Sequence, residues 1–142
     1  MLNLGQVLND RYRIDRMQEM GALEATYRGW DLETNTSVLI REILPQPDLE
    51  PEALEDLEAA FTREAEALAQ LRHPHIVSVR DYFTLTRAPD GVPDSGEESL
   101  PHAYLVTDQP EGQPLVALIE RDTRLREERV IRWTLQLLDA LD

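Results

Sequence analysis

The chain has no cysteine and not one lysine: all 14 of its basic residues are arginine. Without cysteine there is no disulfide framework and no thiolate metal site. Without lysine there is no Walker A phosphate loop and no Schiff-base chemistry. No apolar run approaches the ~18 residues that a membrane-spanning helix needs. The amino terminus, MLNLGQVLNDRYR, lacks the basic flank and apolar core of a secretory signal. Positive charge is also scarce, since 28 acidic residues against 14 arginines leave a net charge of −14. That field repels nucleic-acid phosphates and anionic lipid, so neither a nucleic acid nor a membrane is expected as a partner. The expected compartment is the cytoplasm.

What remains is an ordinary globular composition, 42% hydrophobic and 30% charged over 142 residues, enough for one domain or one lobe of a larger one. Residues 11–18 (RYRIDRMQ) and 25–31 (ATYRGWD) read as strands around a stretch holding Gly21. The polar turn LETNT leads into a β-branched strand at about 37–44, SVLIREIL. Residues 45–51 break the pattern with three prolines. From about Glu52 to Leu71 the period becomes helical, with Leu54, Leu57, Phe61, Leu68 and Leu71 on one stripe and Glu64 among them. The first half of that helix is acidic, which suits the macrodipole and reads as a solvated face. Strands follow at 76–85 and 102–108, joined by a loop rich in Pro, Gly and Ser. The carboxyl end reads as a short helix from about Leu115 and a longer one, EERVIRWTLQLLDALD. Val130, Trp133, Leu137, Leu138 and Leu141 fall on one side of it.

Three strands, a helix, two strands and then helices is an α+β order. Local phrases sharpen it: YRIDRM, TYRGWD, VLIRE, FTREAEALAQLRHPHIV, YLVTDQPEGQPLVALI and RVIRWTLQLLDALD. In that order they resemble the amino-terminal lobe of a bacterial Ser/Thr protein kinase-like (pseudokinase) domain, over about residues 11–142. The resemblance implies a five-stranded antiparallel sheet with an αC helix, followed by αD/αE-like helices. It divides the chain into an extension (1–10), the lobe (11–113, with a loop insertion at 87–101) and the αD/αE-like segment (114–142). It further implies that the catalytic loop and the DFG Asp of a kinase would come after residue 142. These residues alone are therefore expected to carry no catalytic group.

The same resemblance marks a nucleotide cleft whose residues depart from the family pattern. The glycine-rich hairpin that lets backbone N–H groups approach phosphates is here Glu19-Met20-Gly21-Ala22-Leu23-Glu24, keeping the middle glycine and adding two carboxylates. The position of the ATP-anchoring Lys is Arg41, and strand alternation puts Leu39 beside it on the cleft face, with Val38 and Ile40 on the other. Leu39 partly fills the adenine site. Arg41 is expected to pair with Glu64 as a structural ion pair joining helix to sheet. With Thr107 as gatekeeper, Asp108 and Gln109 follow. The third residue beyond it is Pro110, which has no N–H to offer adenine, although the Asp108 carbonyl could still accept from the adenine amino group.

His73-x-His75 has no third ligand and reads as a turn rather than a metal site, and the arginines between 121 and 132 interleave with acids as a solvated surface. Two functions follow from the resemblance. One is a degenerate lobe acting as a non-catalytic interaction module, with weak or no ATP binding, no cofactor, and a protein partner or homodimer through the αE-like helix. The alternative is a fragment of a longer Ser/Thr kinase that binds ATP and Mg²⁺ and phosphorylates proteins. For the apolar side of the last helix, two outcomes are expected: a dimer, or helices rearranged to hide it against the sheet.

Overall fold

The computed structural model describes residues 2–44, 51–87, 100–122 and 124–141. Six antiparallel strands form one sheet in the order β1-β2-β3-β4-β6-β5. They are β1 (Val7–Leu8), β2 (Tyr12–Met20), β3 (Glu24–Asp31), β4 (Thr36–Ile43), β5 (Val79–Arg87) and β6 (Leu100–Asp108). Three helices accompany them: α1 (Pro51–Gln70) between β4 and β5, then α2 (Leu115–Arg121) and α3 (Glu127–Leu141).

The five long strands are those the sequence predicts, with ends shifted by at most three residues. The β5 strand starts at Val79 rather than 76 because Pro74 closes a turn in which the Ile76 N–H donates to the His73 carbonyl at 3.2 Å. The short strand β1 comes from the segment read as an extension. Gly5 turns the chain at φ 80°, a left-handed conformation that costs glycine little. It then donates to the Ile14 carbonyl at 2.8 Å, and Ile14 donates back to Gln6 at 2.8 Å. Leu2 and Leu8 thereby enter the core, beside Tyr12, Ile14, Tyr27, Val38, Ile40, Tyr104 and Val106.

This core lies on one face of the sheet, and strand alternation decides its membership. In β4 the residues Val38, Ile40 and Glu42 are buried while Leu39 and Arg41 are not. In β3 the buried set is Ala25, Tyr27, Gly29 and Asp31. Gly29 has no substitute of larger size here: a Cβ would stand 2.7 Å from both the Arg13 carbonyl oxygen and the Ile40 Cδ1. Tyr12, Phe83 and Tyr104 stack in sequence along the same face, with ring centroids 5.9 and 5.4 Å apart.

The opposite face receives α1, which begins on a proline, as first helical turns tolerate. Its docking stripe is centred on Ala65, which is buried, with Phe61 and Leu68 half-buried on either side. Glu64 stands one residue off that centre and is exposed. Leu71 is past the helix and exposed, and the Leu54 and Leu57 side chains lie outside the described residues, as does most of the acidic run. In α3, the expected apolar side does not turn onto the sheet. Leu137, Leu138 and Leu141 are 63%, 57% and 83% exposed. Of that side only Trp133 is half-buried, together with Gln136 and Ala140, and Asp139 accepts from His73 Nε2 at 3.2 Å.

Among the described residues two carboxylates are buried with the core, and each is satisfied. Asp31, at the end of β3, accepts from Arg11 (2.9 and 2.8 Å), Arg80 (3.2 Å), the Thr34 hydroxyl (2.8 Å) and the backbone N–H groups of Glu33 and Thr34. The Arg11 hydrogen bonds, helped by those of Thr34 and Glu33, hold its carboxyl far below the usual range despite burial. Glu42 accepts from the Tyr27 hydroxyl (2.8 Å), the Tyr104 hydroxyl (3.0 Å) and pairs with His102 Nδ1 (2.8 Å). Burial pushes its carboxyl up, but the bonds from His102, Tyr27 and Tyr104 outweigh it and leave the group below its ordinary 4.5.

A group with a depressed folded pKa contributes stability that is present above the unfolded value and is lost as pH falls through the folded one. Stability should therefore be level down to about pH 4.5 and then decline as Glu42 is protonated. Glu42→Gln should cost about 1–3 kcal/mol at pH 7 and make the acid limb shallower. Urea midpoints measured from pH 7 to pH 3 check both; an unchanged acid limb in the variant would remove Glu42 from the account.

Candidate functional site

The face of the sheet away from the core carries a cavity of about 580 Å³. Its roof is Thr26 and Leu39 from β3 and β4, its hairpin side Gln18 and Glu19, and its far side the run Gln109–Pro114 after β6. Leu39 and Arg41 both reach it, as alternation requires, and so does Pro110. Gly21, Glu64, Thr107 and Asp108 do not line it.

Gly21 makes a tight hairpin instead: its N–H donates to the Glu24 carbonyl at 2.8 Å, which takes that donor away from any ligand. Thr107 faces Leu39 across the β4–β6 pair, and its hydroxyl donates to the Asp108 carbonyl at 3.2 Å. That bond occupies one lone pair of the expected adenine acceptor. The Asp108 carboxylate turns to the core side and accepts from Arg80 Nε. Arg80 also donates to Asp31, Thr34 and Thr36, so one guanidinium ties the end of β6 to the β3–β4 hairpin.

Arg41 is not paired with Glu64. Its Nε and Nη2 both donate to Glu24 Oε2, at 3.2 and 2.7 Å. The reason is register. Thr26 lies directly opposite Arg41, so Glu24, two residues earlier on the same face, is its diagonal neighbour and within reach of a long side chain. Glu64 stands across a second, smaller cavity of about 130 Å³ between α1 and the sheet, walled by Phe61, Ala65, Ile43 and Leu105. Counting back through the LETN turn from Arg41 to Thr26 would have pointed to Glu24. Glu42 had a signal too, as a carboxylate in step with Val38 and Ile40.

The two histidines of the turn after α1 meet Asp139 of α3. The His75 N–H donates to His73 Nδ1 at 3.1 Å, so the His73 ring proton sits on Nε2 and is given to Asp139. Among the described residues no group of three His, Cys, Asp or Glu is placed to hold a metal. No described helix is long and apolar enough to cross a membrane.

The Arg41–Glu24 pair is partly exposed, at 35% and 45% of the two side chains, and pairs of that kind contribute about 1 kcal/mol at most. Glu64→Ala should leave the urea midpoint within about 0.5 kcal/mol of the parent, and Glu24→Ala should lower stability by up to about 1 kcal/mol. A loss above about 2 kcal/mol for Glu64→Ala would mean that Glu64, not Glu24, is the partner of Arg41 in solution.

No protein-family model matches the chain. Its sequence is 28% identical over 136 residues to the serine/threonine-protein kinase PknA of Mycobacterium tuberculosis, covering 96% of this chain and 28% of that protein. It is 29% identical over 143 residues to the probable serine/threonine-protein kinase PknB of Lactococcus lactis, covering all of this chain and 20% of that one. The chain thus spans less than a third of the length of these relatives. Its fold superposes on the kinase domain of M. tuberculosis PknI with a TM-score of 0.72 at 21% identity, covering the whole chain and half of that domain. The chain has the fold of a protein-kinase amino-terminal lobe, and the bacterial proteins it resembles along almost its whole length are Ser/Thr protein kinases.

Proposed function

We propose that the lobe is a non-catalytic interaction module of the cytoplasm, serving signalling, and that its cleft does not take MgATP at physiological strength. The observation that carries this reading is the Arg41–Glu24 pair. Arg41 stands where a kinase holds its phosphates, and its guanidinium is already engaged by a carboxylate of the hairpin above it. Leu39 in the roof, Glu19 on the hairpin side and Pro110 on the far side act in the same direction. The reading of the chain as an ATP-binding part of a longer Ser/Thr kinase keeps one argument: its homologues are kinases along its whole length.

Thermal unfolding with several millimolar ATP and Mg²⁺ separates the two. A ligand at 100 times its Kd stabilises by about 2.7 kcal/mol, several degrees for a domain of this size. No shift is expected, and a shift of that size would establish ATP binding and sink the non-catalytic reading.

The interaction surface in this proposal is the outer side of α3. Val130, Ile131, Leu135, Leu137, Leu138 and Leu141 are all more than 40% exposed, and a contiguous apolar side of this kind marks a binding surface on a small protein. A protein partner or a second copy of the chain fits it, and the high negative charge opposes loose aggregation. Sedimentation at micromolar concentration should report an associated species that Leu138→Glu returns to monomer. A monomeric parent with unaltered sedimentation in the variant would exclude self-association and leave a different protein as partner.

A further inference from the structure

We infer that Glu24 is a built-in occupant of the anion site in the cleft, and that removing its charge opens Arg41 to a polyphosphate group. The inference rests on the reading of the cleft given above and names the residue that closes it. Arg41 is the one cation among the described residues lining the large cavity, which also holds Glu19 and Glu111. A phosphate entering it has a single positive partner to find, and both donors of Arg41 that face Glu24 end on the same oxygen, Oε2, at 3.2 and 2.7 Å.

The contact is enforced by the backbone. Strands β3 and β4 pair without interruption from Asp31 and Thr36 to Glu24 and Ile43, with no bulge to shift one against the other. The hairpin closes at the other end through the Gly21 N–H to the Glu24 carbonyl. Glu24 is thus held by the backbone on both sides, its side chain on the Arg41 face, whether or not a ligand is present. An incoming phosphate must compete with a carboxylate whose backbone the register keeps diagonal to Arg41, and two like charges at about 4 Å repel by about 1 kcal/mol or more depending on hydration. Glu24 acts as an internal acid that satisfies Arg41 and excludes other anions.

The ligand class concerned is a polyphosphate moiety without its base. Leu39 and Pro110 act on the adenine side of the cavity and are untouched by a change at Glu24. Freeing Arg41 should therefore favour inorganic polyphosphate at least as much as ATP.

The test measures binding of inorganic tripolyphosphate, and separately of ATP, by titration calorimetry at fixed ionic strength. The proteins are the parent, Glu24→Gln, Glu19→Gln and the double variant Glu24→Gln/Arg41→Gln. Glu24 is a partly exposed edge-of-hairpin residue, so the amide should fold, and Glu24→Thr, a good strand former, gives a second route to the same charge removal. Glu24→Gln should bind tripolyphosphate at least about tenfold more tightly than the parent, Glu19→Gln should gain less, and the double variant should lose the gain. Equal affinity in the parent and in both Glu24 variants would overturn the inference, and so would a gain that survives loss of Arg41. Strong binding of ATP by the parent would instead overturn the reading of the cleft, which keeps the two failures distinct.

Discussion

A central strand can bury only every second residue, and in β4 the two sides have been given to different tasks. Val38, Ile40 and Glu42 face inward to the aromatic core, while Leu39 and Arg41 face the cavity. Because β4 is hydrogen-bonded to β3 on one side and β6 on the other, this alternation is passed outward in register. It sends Tyr27 and Gly29 one way in β3, and Tyr104 and Val106 the same way in β6. A shift of one residue would exchange core and cleft across the whole sheet, so the site inherits its geometry from the packing.

The inward side carries a cost that the cavity side does not. Burying the carboxylates of Asp31 and Glu42 is unfavourable unless each oxygen is hydrogen-bonded. Both are. The arginines and the hairpin N–H groups meet Asp31 at one end of the sheet, and two tyrosines with a histidine meet Glu42 toward the other. The partners come from strands far apart in sequence, which makes the pairs a check on correct assembly. Arg41 and Glu24 on the opposite face are half-exposed and bind the fold only weakly, so their pairing bears on what the cleft admits more than on stability.

Much of the fold was legible because it rests on period. The alternation in SVLIREI and ATYRGWD, the change to a helical stripe in α1 and the turn chemistry of LETNT each report a local rule. The α+β order, the five long strands and the sharing of one face by Leu39 and Arg41 followed from them. What escaped was set by relations between strands. Glu24 became the partner of Arg41 through register, and Glu64 lost that place because the docking side of α1 is centred on Ala65, a residue away. The β1 segment escaped because its apolar residues, Leu2 and Leu8, are spaced by a glycine turn rather than by alternation. Glu42 escaped because the partners that make its burial tolerable, Tyr27, His102 and Tyr104, are brought to it from other strands.

The Arg80 bridge bears on where this lobe is able to bend. Its guanidinium joins Asp108, the last residue of β6, to Asp31, Thr34 and Thr36 at the far hairpin, and the Asp108 N–H is held by the Ser78 carbonyl at 3.0 Å. These bonds tie the sheet together through residue 108, and α2 is joined to it by the six residues that follow. Within them Gly112, at φ 112° with nothing within 4 Å of where a Cβ would stand, is the loosest joint. The run Gln109–Pro114 is also one wall of the cavity, so the same six residues bound the cleft and carry the chain to the apolar helices.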